Sequence, residues 1–284
     1  MDVLAVVALV VIIAGIALSL WMKFPYTIVV GITCVVVFVL QQASYPVDYM
    51  AFMPHDLTDP GRIYTVLTSM YAHDPSYLGH LVFNILVLIF IGLAFEQRIG
   101  TRSFIVLYLL SGLFGTLAFA AYFWNGPQYA VLGASGAISG VLGGFARLYP
   151  NERFVFLFFP YPLRAVYVVF IFVALQLLYV TSSNFDVAWQ SHLAGLAAGI
   201  LLAPLVIRLK PQQRTEARVS MSALRKLAVT PELRGILQRI ESEEVPDVRK
   251  AWVGHFVSKV KCPICGSPVK VSGDSIRCGK GHVL

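Results

Sequence analysis

Seven apolar runs, most of them within the ~17 to 25 residues that a helix needs to cross the hydrocarbon core of a bilayer, constrain this chain more than any motif does. They lie near 3–22, 25–41, 79–95, 104–124, 130–149, 163–181 and 187–208 of the 284 residues, the second and third being short. In hydrocarbon a backbone must satisfy its own N–H and C=O groups, so runs of this length read as helices. Composition agrees: 57% of residues are hydrophobic and 13% charged, which excludes a surface made for water. The expected fold class is an all-α polytopic membrane protein. The first run follows Asp2 and lacks the basic start and small-residue exit of a cleavable signal, so residues 1–24 read as a retained transmembrane helix.

Charge placement orients the spans, because cytoplasmic loops collect Lys and Arg. Lys23 follows the first run, Arg98 and Arg102 the third, Arg147, Arg153 and Arg164 the fifth, and Arg208 and Lys210 the seventh. The intervening loops hold Arg62 alone in 42–78 and no basic residue in 125–129 or 182–186. This alternation predicts an outside N-terminus and a cytoplasmic C-terminus. The net charge of +7 belongs to the tail: residues 1–208 carry eight basic and eight acidic side chains, 209–284 fourteen and seven. A basic tail on that side lies against anionic lipid. Nucleic acid is the weaker partner, since the charges are scattered and not interleaved with aromatics.

With this topology, Ser135, His192, His80 and Asn84 fall at one depth, near the outer ends of three spans. Each has a bland reading alone, as a packing serine, an interhelical hydrogen bonder or a cap. Their coincidence marks a site, because polar and ionisable groups are costly in a membrane. Small residues supply the geometry: Gly136, Gly140 and Gly144 line one face of the fifth span, and Gly195 and Gly199 one face of the seventh. If these faces meet, Ser135 and His192 come within hydrogen-bonding reach, as a base must to activate a serine hydroxyl. Tight packing without chemistry would explain the glycines but not the Ser and His above them.

GASG at 133–136, HLAGLAAG at 192–199 and HLVFN at 80–84, in this arrangement on alternate helices, resemble the rhomboid intramembrane serine proteases. The stretch 64–84 and Glu96 to Gly100 are similar as well, and the resemblance spans about 25–208. It implies a six-helix core over 25–208 behind one extra N-terminal helix. It also implies that Ser135 is the nucleophile and His192 its base, with His80, Asn84 and the Ser135 amide stabilising the oxyanion. Substrates would be transmembrane segments of membrane proteins, entering from the bilayer past the aromatic- and Pro-rich loop 42–78 and cut near the outer face. No carboxylate lies in a span close to His192, which suits a Ser-His dyad; Asp186, in the preceding outer loop, is the remaining candidate for a third member. One departure stands out: Ser139 occupies the position where the family often has an aromatic ring supporting the histidine. A catalytically inactive, rhomboid-like adaptor that binds membrane clients is the alternative, and retention of both Ser135 and His192 argues against it. A transporter is weaker still, since no ionisable residue lies near a span's midplane.

Behind the core, 209–258 reads as a basic cytoplasmic helical linker and 259–284 as a zinc ribbon. Thr230-Pro231-Glu232 is a helix start, with Leu233, Ile236, Leu237 and Ile240 on one face, and a second helix begins at Pro246. Cys262, Cys265, Cys278 and His282 form C-x2-C, a twelve-residue gap and C-x3-H, with Gly266 and Gly281 at the knuckle turns, a zinc pattern. Three cysteines on the cytoplasmic side do not suit a disulfide framework. Cys34 lies in an apolar span and reads as packing. The helices and ribbon form a small module whose open roles are stabilisation, regulation and docking of a cytoplasmic protein partner.

Overall fold

Helices account for most of the chain in this computed structural model, which describes residues 3–22, 24–43, 49–156, 159–181, 187–209, 221–243, 246–272 and 275–284. Two units are distinguished, Met1–Lys210 and Pro211–Leu284. In the first, α1 (Val3–Met22), α2 (Tyr26–Ala43), the one-turn α3 (Thr65–Thr68), α4 (Leu78–Val87), α5 (Leu93–Ile99), α6 (Thr101–Phe123), α7 (Ser135–Leu148), α8 (Ala165–Thr181) and α9 (Trp189–Val206) follow in order. A π-helical turn, Leu88–Gly92, joins α4 to α5, so Leu78–Ile99 runs as one helix. Length and composition suit Val3–Met22, Leu78–Ile99, Thr101–Phe123 and Trp189–Leu209 to a membrane crossing; α2 and α8 are shorter apolar helices. The chain is the all-α polytopic membrane protein that its apolar runs imply. An antiparallel hairpin of β1 (Arg153–Phe156) and β2 (Phe159–Arg164), which the apolar pattern does not reveal, precedes α8.

The fifth run departs from its expected bounds. Its helix starts at Ser135 rather than near 130, so Ser135 is the first helical residue and not one a few positions inside. The preceding residues are held otherwise: Val131 exchanges two backbone hydrogen bonds with Phe52, and Gly133, at φ 123°, donates its N–H to the Ser69 carbonyl. A backbone in that conformation cannot continue a right-handed helix.

Packing in this unit centres on α7, where every residue from Gly136 to Ala146 is buried. The reason is the absence of side chains at its contacts. A methyl built on Gly195 would fall on the backbone oxygen of Gly136, and one on Gly199 on the backbone oxygen of Gly140. A methyl on Gly115 of α6 would lie 2.7 Å from Ser191 Oγ of α9. Helices α6, α7 and α9 therefore meet along their backbones, as small-residue faces permit. The opposite case is α8, in which only Ala165 and Gln176 are buried. At the other end of the unit, Glu96 caps α2: its carboxylate accepts from the N–H groups of Tyr26 (2.7 Å) and Thr27 (2.8 Å) and from the Thr27 hydroxyl (2.6 Å). First-turn amides lack partners within their own helix, and the helix dipole favours an anion there.

The second unit holds α10 (Met221–Leu227), α11 (Pro231–Ser242), α12 (Pro246–Lys259) and an antiparallel ribbon of β3 (Val269–Ser272) and β4 (Ser275–Cys278). Thr230 caps α11 by accepting from Leu233 N–H, Pro231 opens the helix, and Leu233, Ile236, Leu237 and Ile240 are its buried face. They share one core with Leu224, Phe256, Val257, Val269 and Ile276.

Two glycine substitutions separate these environments. Gly199→Ala forces α7 and α9 apart or strains them, at a cost of ~1–3 kcal/mol or more, and is expected to lower the melting temperature in detergent. Gly235→Ala, whose methyl would meet nothing within 4 Å, improves helix propensity by up to ~1 kcal/mol and is expected not to lower it. Side-by-side thermal melts check both.

Candidate active site and metal cluster

Ser135 and His192, 57 positions apart, meet where α7 and α9 begin. Ser135 Oγ lies 2.7 Å from His192 Nε2, and His192 Nδ1 lies 2.9 Å from Gln176 Oε1 of α8. His80 reaches the same place from α4: a methyl built on Gly133 would sit 2.8 Å from His80 Nε2, 3.0 Å from its Cε1 and 3.5 Å from Ser135 Oγ. Glycine at 133 thus leaves the space into which the His80 ring and the serine hydroxyl converge. Asn84 is buried one turn below His80 and donates from Nδ2 to the His80 backbone carbonyl at 2.8 Å. Behind His80 stands the fully buried His73, ring centroids 5.1 Å apart, whose Nδ1 faces the Tyr71 carbonyl.

The start of α7 adds donors. The first helical hydrogen bond that runs back out of this turn goes from Ile138 N–H to Ala134 O, and the N–H groups before it have no acceptor within the helix. These amides and the positive end of the helix dipole stand beside the Ser135 hydroxyl. Ser139, the other serine on this face, is buried and donates its hydroxyl to the Ser135 carbonyl at 2.7 Å. Its hydroxyl is thus engaged within its own helix.

Two neighbours of His192 were not singled out from the sequence. Gln176 is buried, and Phe172, one turn before it on α8, places its ring 6.2 Å from the His192 ring at a 46° tilt. A signal existed for the first: Gln176 is the one amide in the apolar stretch after Arg164, and such residues in a membrane need a partner. Phe172 gave none, since one aromatic among many apolar residues reads as packing. Asp186 lies outside the described residues.

In the second unit the ligand atoms of Cys262, Cys265, Cys278 and His282 all lie within 4.8 Å of one another, a cluster that could hold a metal ion. Cys265 and Cys278 sulfurs are 3.6 Å apart, Cys262 Sγ is 3.7 Å and Cys278 Sγ 3.3 Å from His282 Nδ1. These are near the ~3.5 to 3.8 Å edges of a tetrahedron with metal–ligand bonds of ~2.0 to 2.3 Å, and far from a disulfide's ~2.05 Å. Gly266 and Gly281, at φ 70° and 86°, close the two knuckles by donating to the carbonyls of Cys262 and Cys278. Hydrogen bonding from the Ser267 hydroxyl, then from its backbone N–H, draws the Cys265 thiol below its ordinary pKa, toward the thiolate that binds metal.

A polytopic helical membrane protein with a hydrogen-bonded Ser-His pair at the start of two closely packed helices is a recognisable class. The Rhomboid domain matches residues 60–209, slightly more than half of the chain. The chain belongs to the rhomboid family. It is 30% identical over 141 residues to "Rhomboid-like protease 3" of Toxoplasma gondii, covering 50% of this chain and 51% of that protein. It is 27% identical over 186 residues to "Rhomboid protease GlpG" of Klebsiella pneumoniae subsp. pneumoniae, covering 63% and 62%. Another relative is "RHOMBOID-like protein 12, mitochondrial" of Arabidopsis thaliana, 25% identical over 156 residues, which cover 50% of this chain and 46% of that protein. The chain thus spans about half the length of the first of these relatives.

Proposed function

We propose that the chain is an intramembrane serine endopeptidase that cuts transmembrane segments of membrane proteins near the outer face of the bilayer. The observation that carries this reading is the 2.7 Å hydrogen bond between Ser135 Oγ and His192 Nε2. Two relatives carry "protease" in their names, which agrees with it. In this reading His192 takes the serine proton as Oγ attacks the scissile carbonyl, and later returns a proton to the leaving amine. The carbonyl oxygen becomes an oxyanion against the amide of Ser135, the His80 ring and the Asn84 side chain, donors fixed before the charge develops. Water then releases the acyl group by the same route in reverse order. An adaptor that only binds clients has no use for this hydrogen bond.

The remaining roles follow the charge pattern and the cysteine cluster. The N-terminus lies outside and the second unit in the cytoplasm, where its basic surface meets lipid. Cys262, Cys265, Cys278 and His282 hold a structural zinc ion, which supplies folding energy to the ribbon and takes no part in proteolysis. The ribbon is also where a cytoplasmic protein partner would dock.

Purified protein mixed with a single-span membrane substrate is expected to yield two fragments. Ser135→Ala and His192→Ala should each abolish cleavage with little change in melting temperature, and Asn84→Ala should slow it ~10- to 1000-fold, as for single oxyanion donors. Full activity in either of the first two variants would reject the dyad. Metal analysis should give one zinc per chain, lost in the Cys262→Ser, Cys265→Ser double variant while cleavage continues. Cysteines placed in 125–129 should react with an impermeant reagent from outside, and those in 99–102 should not; the reverse would invert the topology.

A further inference from the structure

The geometry points to α8 as the element that positions His192, with Gln176 fixing its tautomer and Phe172 its ring plane. This inference rests on the reading of Ser135 and His192 as the catalytic pair. A neutral imidazole has one nitrogen that donates and one that accepts. To receive the Ser135 proton, Nε2 must be the acceptor, so Nδ1 must carry the hydrogen, and the partner of Nδ1 decides whether it does. Here that partner is Gln176 Oε1 at 2.9 Å, a carbonyl oxygen that can only accept. The chain of bonds then has one working sense: Ser135 O–H donates to Nε2, and Nδ1–H donates to Gln176. With the amide reversed, its NH2 would face Nδ1, the ring proton would sit on Nε2, and the serine could no longer deliver its own.

The rest of α8 shows that Gln176 is inward for this bond rather than for packing. Among the described residues of the helix only Ala165, at its first position, and Gln176 are buried. A primary amide on a helix facing hydrocarbon is costly without a partner, and His192 is the partner. Phe172 lies four residues earlier and so on the same face. Its ring, 6.2 Å from that of His192, is within the range of favourable aromatic contacts. The family's frequent aromatic at the position of Ser139 is absent, and Ser139 is turned into its own helix. Ring support therefore comes from α8 instead of α7. When the imidazolium forms, Gln176 answers it with a dipole and no charge, so its contribution is orientation. It is a positioning residue.

The test is made on the full-length purified protein. Gln176→Met, close in shape but without an acceptor, should lower kcat ~10- to 100-fold with KM nearly unchanged, the scale on which a misplacement of about 1 Å is felt. The rate at which a fluorophosphonate labels Ser135 should fall in parallel, which separates reactivity from substrate binding. Gln176→Glu, which restores an acceptor oxygen at the same point, should recover most of both losses. Phe172→Ala should show a smaller loss of the same kind. Gln176→Met with undiminished kcat and labelling, or Gln176→Glu no better than Gln176→Met, would overturn the role. Should Gln176→Met melt below the assay temperature, Gln176→Asn, whose amide is withdrawn by one methylene, must show the same loss or the role fails. Ser135→Ala run beside them distinguishes the two levels: cleavage by that variant sinks the catalytic pair itself, whereas an inactive Ser135→Ala with an unimpaired Gln176→Met sinks only the part given to α8.

Discussion

The contact between α7 and α9 is made by backbone against backbone, and the rest of the site depends on it. Gly195 lies on the carbonyl of Gly136, and Gly199 on that of Gly140. The pairing advances by four residues on both helices together, so the two run parallel, with Gly136, second in α7, beside Gly195, seventh in α9. In lipid no hydrophobic force draws helices together, and close contact of small residues is what remains. Ser135 precedes the first glycine of one face by one position, and His192 the first glycine of the other by three. A register shift of one turn would move one of them ~5.4 Å along the axis and break the 2.7 Å bond. The glycines therefore determine the alignment of the pair as well as the distance between helices.

A second constraint is length. At ~1.5 Å per residue the fourteen residues of α7 reach ~21 Å, short of the ~30 Å of a bilayer's hydrocarbon. A helix of that length leaves its first turn below one surface unless other chain segments come down to meet it. The bridge of Phe52 to Val131 and the bond from Gly133 to Ser69 are such segments, tying the chain before α7 to the loop before α4. That loop has its own brace: Asp56 accepts from Arg62 (3.1 Å), the Thr65 hydroxyl (2.9 Å) and Met53 N–H (3.0 Å).

Most of the fold was legible because apolar length and glycine spacing act directly on helices in lipid. The pairing of Ser135 with His192 followed from the same two glycine faces. The start of α7 was misplaced because Val131 and Leu132 are as apolar as any helical residue, and hydropathy cannot register the bridge from Val131 to Phe52. The hairpin β1–β2 was invisible for a similar reason: it adjoins an apolar run and joins no larger sheet. Gln176 was readable as an anomaly but not as a partner of His192, since neither periodicity nor spacing relates α8 to α9. In the second unit, Thr230, Pro231 and the four apolar residues after them marked α11 from local rules alone, while the seven-residue α10 was not singled out.

The unequal burial of α7 and α8 has a dynamic consequence. Local stability follows the number of interior contacts that a segment must give up to open. On that measure α7, with eleven consecutive buried residues, has far more contact to give up than α8, with two. One of those two is Gln176, held by His192. Excursions of α8 from the bundle and the protonation pattern of the imidazole are therefore thermodynamically linked: each conformer in which the helix has left is one in which Nδ1 has lost its acceptor. The separation of α8 from His192 and the reactivity of the serine beside it become two readings of one equilibrium.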